Sequence, residues 1–336
     1  MEYRNLGTAG VKVSPLCLGT MMFGSPTDET SSIRIMHKAH DLGINFFDTA
    51  NVYNDGDSER VVGKAISDRR DQIILATKGR LKMGDGPNDV GASRVHLMRE
   101  VENSLRRLAT DYIDLYYLHT PDPTTHMEET WRTLDTLVQQ GKIRYIGVSN
   151  FRAWDLCGLL CTIERLQLER ITCLQPLYNI VNRDTEVELF PLCQDQGMGV
   201  VSYSPLARGV LSGKYKAGQP LPEGSRAARG NQRLLETEMR EESYAVAERL
   251  RPLAAAHGVT LTRFCLAWCL ANPLLTAIII GPRTMEQFDD NVGCLSCQIT
   301  PEDEDAVDAL VLPGEHTGRG FNDPLFPVTG RPVPRV

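Results

Sequence analysis

The sequence predicts an α/β fold of one kind, a closed (β/α)8 barrel of the TIM type. Three observations lead there. Short apolar runs alternate with amphipathic helical stretches along nearly the whole chain, and eight such runs are found. The runs are nearly continuous in apolar character, as strands covered on both faces are, and lack the alternation of a half-exposed sheet. A doubly wound sheet would carry G-x-G-x-x-G directly after its first strand. None stands there, and Gly197-Met198-Gly199 precedes a strand instead of following one. No low-complexity linker divides the chain, so residues 1–336 read as a single barrel domain.

The elements follow in order. "LGTAGVKVSPLCLG" reads as a short hairpin before the barrel, with Gly10 at its turn. The strands are predicted at Leu16–Thr20, Ile44–Asp48, Ile73–Lys78, Ile113–His119, Ile143–Ser149, Thr172–Pro176, Gly199–Pro205 and Ala277–Gly281. A helix opens near Ser58. Another carries Met98, Val101, Leu105 and Leu108 at helical spacing, with Ser93 as N-cap and Asn103 and Arg107 on its polar face. Met127, Trp131, Leu134 and Val138 form a further stripe, closed by Gly141 where a C-cap glycine belongs. Two segments exceed ordinary loop length. One runs from Leu206 to about Glu242. The other is the tail from Pro313 to Val336, whose five prolines and lack of periodicity exclude regular helix.

Composition narrows the function classes. The formal net charge is -7 and no basic block appears, which argues against nucleic acid and anionic membrane surfaces as partners. No run approaches the ~20 apolar residues that span a bilayer. The N-terminus lacks the basic-then-apolar pattern of a signal peptide. The nine cysteines are odd in number and without framework spacing, and no N-x-[ST] sequon occurs, so a reducing, cytoplasmic compartment is expected. Cys294 and Cys297 form the only C-x-x-C, half a zinc site at best, and read as small half-buried residues. Cys157/Cys161 and Cys265/Cys269, spaced i, i+4 on helices, are expected to face the core. The seven histidines include no H-E-x-x-H, so no metal is expected and a metal-dependent barrel hydrolase or isomerase ranks low.

Catalytic groups of a barrel lie at the C-terminal ends of its strands. Those ends offer Asp48 with Tyr53 on the following loop, then Lys78, then His119. Singly, Lys78 could mark a strand leaving the core and His119 a satisfied core histidine. Together at one barrel mouth they suit carbonyl reduction. Hydride arriving at a carbonyl carbon leaves charge on oxygen, so a proton donor is needed there. A free tyrosine, with a pKa of about 10, is a reluctant acid. A neighbouring ammonium would favour its phenolate. Asp48 would hold that ammonium, and His119 would orient the carbonyl oxygen.

"GINFFDTANVYNDGDSERVVG", from Gly43 to Gly63, resembles the first signature of the aldo-keto reductase superfamily. The resemblance runs from "YRNLGTAGVKVSPLCLGTM" to "IIIGPRTMEQFDDN". "GVSNF", "SYSPLARGVLSGKY" and "GPRTMEQFDDN" are similar to the branch that contains bacterial general reductases and potassium-channel β subunits, more than to the aldose reductase branch. The resemblance implies a catalytic tetrad of Asp48, Tyr53, Lys78 and His119, and NADP(H) held across the barrel mouth. It implies that Ser149, Asn150 and Gln175 bind the nicotinamide carboxamide and that Tyr203 stacks on the ring. Gly19, Thr20, Met21 and Asp48 would also touch the cofactor. Ser204, Pro205, Leu206, Arg208 and Lys214 would begin a loop over the pyrophosphate, helped by Arg226. Gly281, Arg283, Thr284, Gln287 and Asn291 would hold the adenosine end. Thr284 begins a helix whose N-terminal amides suit a phosphate. Arg283 stands where some relatives have a small hydroxyl residue, and it could grip the 2′-phosphate or be a solvated strand-end charge.

The leading expectation is an NADPH-dependent reductase of a small aldehyde or ketone. The alternative is a cofactor-loaded regulatory or binding subunit with little turnover. The Gly24–Glu29 loop, the Pro121–Thr125 loop, the 206–242 loop and the tail would shape the substrate pocket.

Overall fold

The computed structural model describes residues 1–230 and 232–318. The irregular tail expected over 313–336 lies outside the described residues from residue 319 onward. The described chain divides into two compact units. The first comprises Met1–Pro176, Glu188–Tyr203 and Asn272–Val292. It begins with an antiparallel hairpin, β1 (Arg4–Asn5) and β2 (Lys12–Val13). The barrel strands are β3 (Leu16–Gly19), β4 (Phe46–Asp48), β5 (Ile74–Gly79), β6 (Ile113–Leu118), β7 (Ile143–Ser149), β8 (Ile171–Gln175), β9 (Gly199–Ser202) and β10 (Ala277–Ile280). All eight pair in parallel and close in the order β10-β3-β4-β5-β6-β7-β8-β9. Each predicted strand is present, with ends moved by three residues at most.

The largest trim is at β9. Ser204 takes a left-handed φ of 55° and Pro205 has no N–H to donate, so the ladder cannot continue past Ser202. The hairpin is where it was predicted, but its left-handed residue is Gly7 (φ 61°), not Gly10. A Cβ at Gly7 would collide with the backbone of Gly197 and Gly199, against which the hairpin packs. Leu6 and Val13 of the hairpin join Cys17, Phe46, Ala76, Leu115 and Tyr117 in one fully buried cluster inside the barrel.

The helices of this unit are α1 (Glu29–Asp41), α2 (Asp57–Ile66), α3 (Arg94–Leu108), α4 (Met127–Gln139), α5 (Ala153–Leu166) and α6 (Leu189–Gln196). Ser93 caps α3 by accepting from the His96 amide at 3.3 Å. Gly141 takes φ 72° just beyond α4, the left-handed stop that glycine allows. Two expectations need correction. Cys157 and Cys161 are exposed, because α5 buries the stripe Leu156, Leu159 and Ile163 and the cysteines lie one residue further round. Arg107 is not on a solvated face of α3. It is turned inward, and its Nε donates to buried Glu59 of α2 at 2.5 Å.

The second unit comprises Leu177–Val187, Ser204–Ala271 and the described residues from Gly293 on. It carries α7 (Gln232–Thr237), α8 (Glu241–Ala256) and α9 (Leu261–Ala271). The predicted long loop thus holds α7 and a short 3-10 run at Ala207–Ser212. The helix α10 (Met285–Val292) belongs to the first unit and α11 (Pro301–Asp308) to the second. Tyr178 stacks on Trp268 at 5.6 Å between ring centroids, and Arg183 joins Glu186 at 2.9 Å and Asp308 at 2.7 Å. Cys265 and Cys269 are buried as expected. Among the described residues no single helix is long and apolar enough to cross a membrane.

α2 and α3 touch backbone to backbone at Gly63, where a Cβ would lie 2.5 Å from the Leu108 carbonyl oxygen. Gly63→Ala is therefore expected to destabilise the fold by about 1–3 kcal/mol, since neither backbone can yield cheaply. Urea denaturation followed by circular dichroism measures this, and an unmoved midpoint would mean that the two helices separate freely.

Candidate active site

The site is built at the C-terminal ends of adjacent strands. Asp48 closes β4, and Lys78 is the last residue but one of β5. The Lys78 side chain is fully buried in the barrel, and its ammonium donates to Asp48 Oδ1 and, at 2.8 Å, to the Thr49 carbonyl oxygen. The Tyr53 hydroxyl lies 3.5 Å from the same nitrogen. Tyr53 and His119 meet edge to face, with ring centroids 6.0 Å apart. The four predicted catalytic residues are thus brought together.

Burial is the largest influence on Lys78 and would drive off its proton. The charge of Asp48 and the oxygen of Tyr53 oppose it, and the pKa of Lys78 lies above the ordinary lysine value. The lysine is therefore a fixed cation at neutral pH. Asp48 is held on its other oxygen too, where Gln175 Nε2 donates at 2.8 Å.

From Gln175 a hydrogen-bonded chain runs along neighbouring strand ends. Ser149 donates to the Gln175 carbonyl at 2.8 Å, and Asn150 Nδ2 donates to Ser149 Oγ at 3.0 Å and to the His119 carbonyl at 2.9 Å. Tyr203 donates to Asn150 Oδ1 at 2.8 Å. Asn150 has φ 62°, a conformation asparagine adopts more readily than most residues. Thr20 is buried and bonds the Asp48 carbonyl oxygen, Gly19 is buried at the end of β3, and Met21 is exposed.

Around α10 the Arg283 N–H donates to Gln287 Oε1 at 2.9 Å, and the Gln287 N–H to Thr284 Oγ1 at 3.3 Å. Asn291 is buried, while a Cβ at Gly281 would meet open space. Ser204, Pro205, Leu206, Arg208, Lys214 and Arg226 fall in the second unit. There the Ser204 carbonyl accepts from Asn179 at 2.9 Å, and Arg208 pairs with buried Glu238 at 3.5 Å.

A family model of the aldo/keto reductase family matches residues 15–312. The chain belongs to that family. It is 40% identical over 313 residues to the uncharacterized oxidoreductase YrpG of Bacillus subtilis, covering 90% of this chain and 93% of that one. It is 36% identical over 319 residues to a probable voltage-gated potassium channel subunit beta of rice, covering 93% and 97%. It is 33% identical over 346 residues to the versiconal hemiacetal acetate reductase of Aspergillus parasiticus, covering 94% and 100%. As a member of the family the chain is an oxidoreductase of small carbonyl compounds, in a branch with bacterial oxidoreductases and plant channel β subunits. The family generally uses NAD(P)H.

The residues present fit a nicotinamide carboxamide. Both Asn150 N–H groups are engaged, but Oδ1 accepts one bond of the two it can take. It can accept the amide N–H of a ligand without breaking any existing bond.

Some supporting residues carried no sequence signal. Asn51 donates to buried Glu100 at 2.9 Å while its own N–H bonds the Lys78 carbonyl at 3.1 Å. Thr77, facing away from Lys78, donates to Glu59 at 2.6 Å. Spacing marks none of these, because their partners lie on other elements.

Asp122, on the loop after β6, is buried and accepts from Thr124, Ala92 and Thr125. Burial alone would raise its pKa, but the hydrogen bonds outweigh it and bring the carboxyl down to about 2. The folded pKa is depressed, so Asp122 stabilises the fold above about pH 4 and that contribution fades as pH falls toward 2. Asp122→Asn should therefore lose about 1–2 kcal/mol at pH 6 and progressively less at pH 3. Denaturation midpoints at the two pH values check this, and an equal loss at both would remove the charge from the explanation.

Proposed function

We propose that the protein reduces an aldehyde or ketone to an alcohol with NADPH, and that Tyr53 supplies the proton. The observation that carries this reading is the buried Lys78 ammonium, fixed by Asp48 and 3.5 Å from the Tyr53 hydroxyl. Bound NADPH supplies the hydride. The Tyr53 hydroxyl donates its proton to the carbonyl oxygen, and the Lys78 cation stabilises the phenolate left behind. Asp48 keeps Lys78 charged and in place. His119, against the edge of Tyr53, orients the carbonyl oxygen. Ser149, Asn150 and Gln175 hold the carboxamide, with the ring on Tyr203. Gly19, Thr20, Met21, Ser204, Pro205, Leu206, Arg208, Lys214, Arg226, Gly281, Thr284, Gln287 and Asn291 complete the cofactor contacts, and Arg283 takes the 2′-phosphate. One barrel domain over the whole chain and a cytoplasmic location belong to this reading, the latter supported by nine free cysteines.

A second reading, a cofactor-loaded regulatory subunit, is favoured by the 36% identity to a probable channel β subunit. Steady turnover of NADPH with small aldehydes separates the two.

Tyr53→Phe keeps the ring and its packing and removes the proton donor. Single-turnover hydride transfer is expected to slow by about 10²–10⁴-fold, with NADPH affinity little changed. Transfer at near the unmodified rate would sink Tyr53 as the acid. Arg283→Ala is expected to weaken NADPH at least about tenfold more than NADH, since a charge-assisted bond contributes roughly 1.5–3 kcal/mol. Titration of both cofactors by fluorescence tests this, and equal losses would remove the 2′-phosphate role.

A further inference from the structure

Arg80 lies two residues beyond Lys78, where the chain leaves β5. Three features set it apart. Its backbone has φ 106°, a left-handed conformation that a bulky side chain rarely takes. Its Nε is buried without a hydrogen-bond partner among the described residues. Its nearest carboxylate is no true partner either. Arg80 Nη2 stands 3.9 Å from Asp122 Oδ1, beyond hydrogen-bond range. That oxygen already accepts from Thr124 N–H at 3.0 Å and the Thr124 hydroxyl at 2.7 Å, while Oδ2 accepts from Ala92 at 2.6 Å and Thr125 at 2.8 Å. A carboxylate has about four acceptor positions, so Asp122 is saturated and Arg80 has a charge nearby but no hydrogen-bond acceptor among the described residues.

The ladder sets the backbone of Arg80 beside that of His119. The His119 N–H donates to the Gly79 carbonyl at 3.0 Å, and Gly79 pairs with Leu118 in the ladder, so Arg80 follows on the rung of His119. The loop it opens is tied down, with Gly91 N–H on the Arg80 carbonyl at 2.9 Å and Met83 N–H on the Asp89 carbonyl at 2.8 Å. β5 lies three strands from β10 in the closed order, so Arg80 and Arg283 leave different strands of the barrel.

We propose that Arg80 is a substrate-recognition residue, and that the preferred carbonyl compound carries a carboxylate that the Arg80 guanidinium binds while His119 and Tyr53 hold the carbonyl oxygen. This rests on the reductase reading above. A planar guanidinium fork matches a carboxylate with two parallel bonds. A single cation next to the ionised Asp122 suits one negative charge better than the two of a phosphate. The strained backbone is kept because it presents a cation whose Nε no acceptor among the described residues satisfies.

The test compares two substrates that differ by the carboxylate alone, 4-carboxybenzaldehyde and benzaldehyde. It uses the full-length protein, Arg80→Met and Arg80→Gly, the glycine variant removing the charge while tolerating the left-handed backbone. The ratio of kcat/KM between the two aldehydes is expected to fall about 10- to 100-fold in both variants, the size of a charge-assisted pair. A second arm measures binding of 4-(hydroxymethyl)benzoate and benzyl alcohol by NMR titration, and needs no turnover. Selective loss of the benzoate in both variants supports the site even if neither aldehyde is reduced, in which case the reductase reading fails alone. An unchanged ratio, or equal losses for the charged and uncharged ligand, overturns the assignment. A melting temperature of Arg80→Gly at or above that of the unmodified protein would show that the loss is not one of folding.

Discussion

The site depends on one buried ion pair. An ammonium with no exposed surface is costly, and several kcal/mol of lost hydration per ion must be offset by its partners. Lys78 has them in Asp48 and the Thr49 carbonyl oxygen. Such pairs are seldom kept for stability, since well-packed apolar residues of the same volume do as well. What the pair provides here is a cation of fixed position beside a phenol. That position is set by strand register, with Asp48 opposite Ala76, so β4 and β5 must be paired in register for the charges to meet.

The constraint then spreads both ways around the sheet. Inside the barrel, Asp48 holds Gln175, whose backbone carbonyl takes the Ser149 hydroxyl, and Asn150 and Tyr203 follow. Outside, Thr77 faces α2 because side chains alternate along a strand, and it meets Glu59. Glu59 is matched by Arg107 at 2.5 Å, and Arg107 also stands 3.8 Å from Glu100, which holds Asn51. Two buried carboxylates thus share the Arg107 guanidinium, with Arg99 4.0 Å from Glu100, and amide and hydroxyl donors take further positions. Moving α2 or α3 would disturb the backbone that carries Asp48, Asn51 and Tyr53.

The barrel was legible in the sequence because its strands are largely buried on both faces, and eight mainly apolar runs stand out from the loops even with Asp114 and Arg144 inside two of them. The meeting of Asp48, Tyr53, Lys78 and His119 was legible because each ends such a run or closely follows one. Caps at Ser93 and Gly141 were legible because their chemistry is local. The inward turn of Arg107 was not, since its partner Glu59 is 48 residues away and a periodic stripe assigns any charge to solvent. The exposure of Cys157 and Cys161 was missed for a related reason. A spacing of i, i+4 fixes a shared face but not which face is buried, and Leu156, Leu159 and Ile163 decided that.

Backbone strain was the least legible feature, and it is not scattered. Among the described residues nine non-glycines have positive φ: Asn54, Asp55, Arg80, Ala109, Asn150, Gln167, Ser204, Ala207 and Arg208. Ala109 and Gln167 merely end α3 and α5. The other seven lie in the stretches that leave the C-terminal ends of β4, β5, β7 and β9. Each left-handed non-glycine is held against a local penalty of order 1–3 kcal/mol. Asn54 is held by its bonds to the Met21 and Phe23 carbonyls, and Asn150 by Ser149, His119 and Tyr203. Arg80 is held through its backbone, by the Gly91 N–H, while its Nε has no hydrogen-bond partner among the described residues. A rigid barrel can carry this strain because its ladder is closed and has no edge to fray. Apart from the two helix ends, the penalty falls in stretches that follow strand ends, where Asp48, Lys78 and Asn150 also stand.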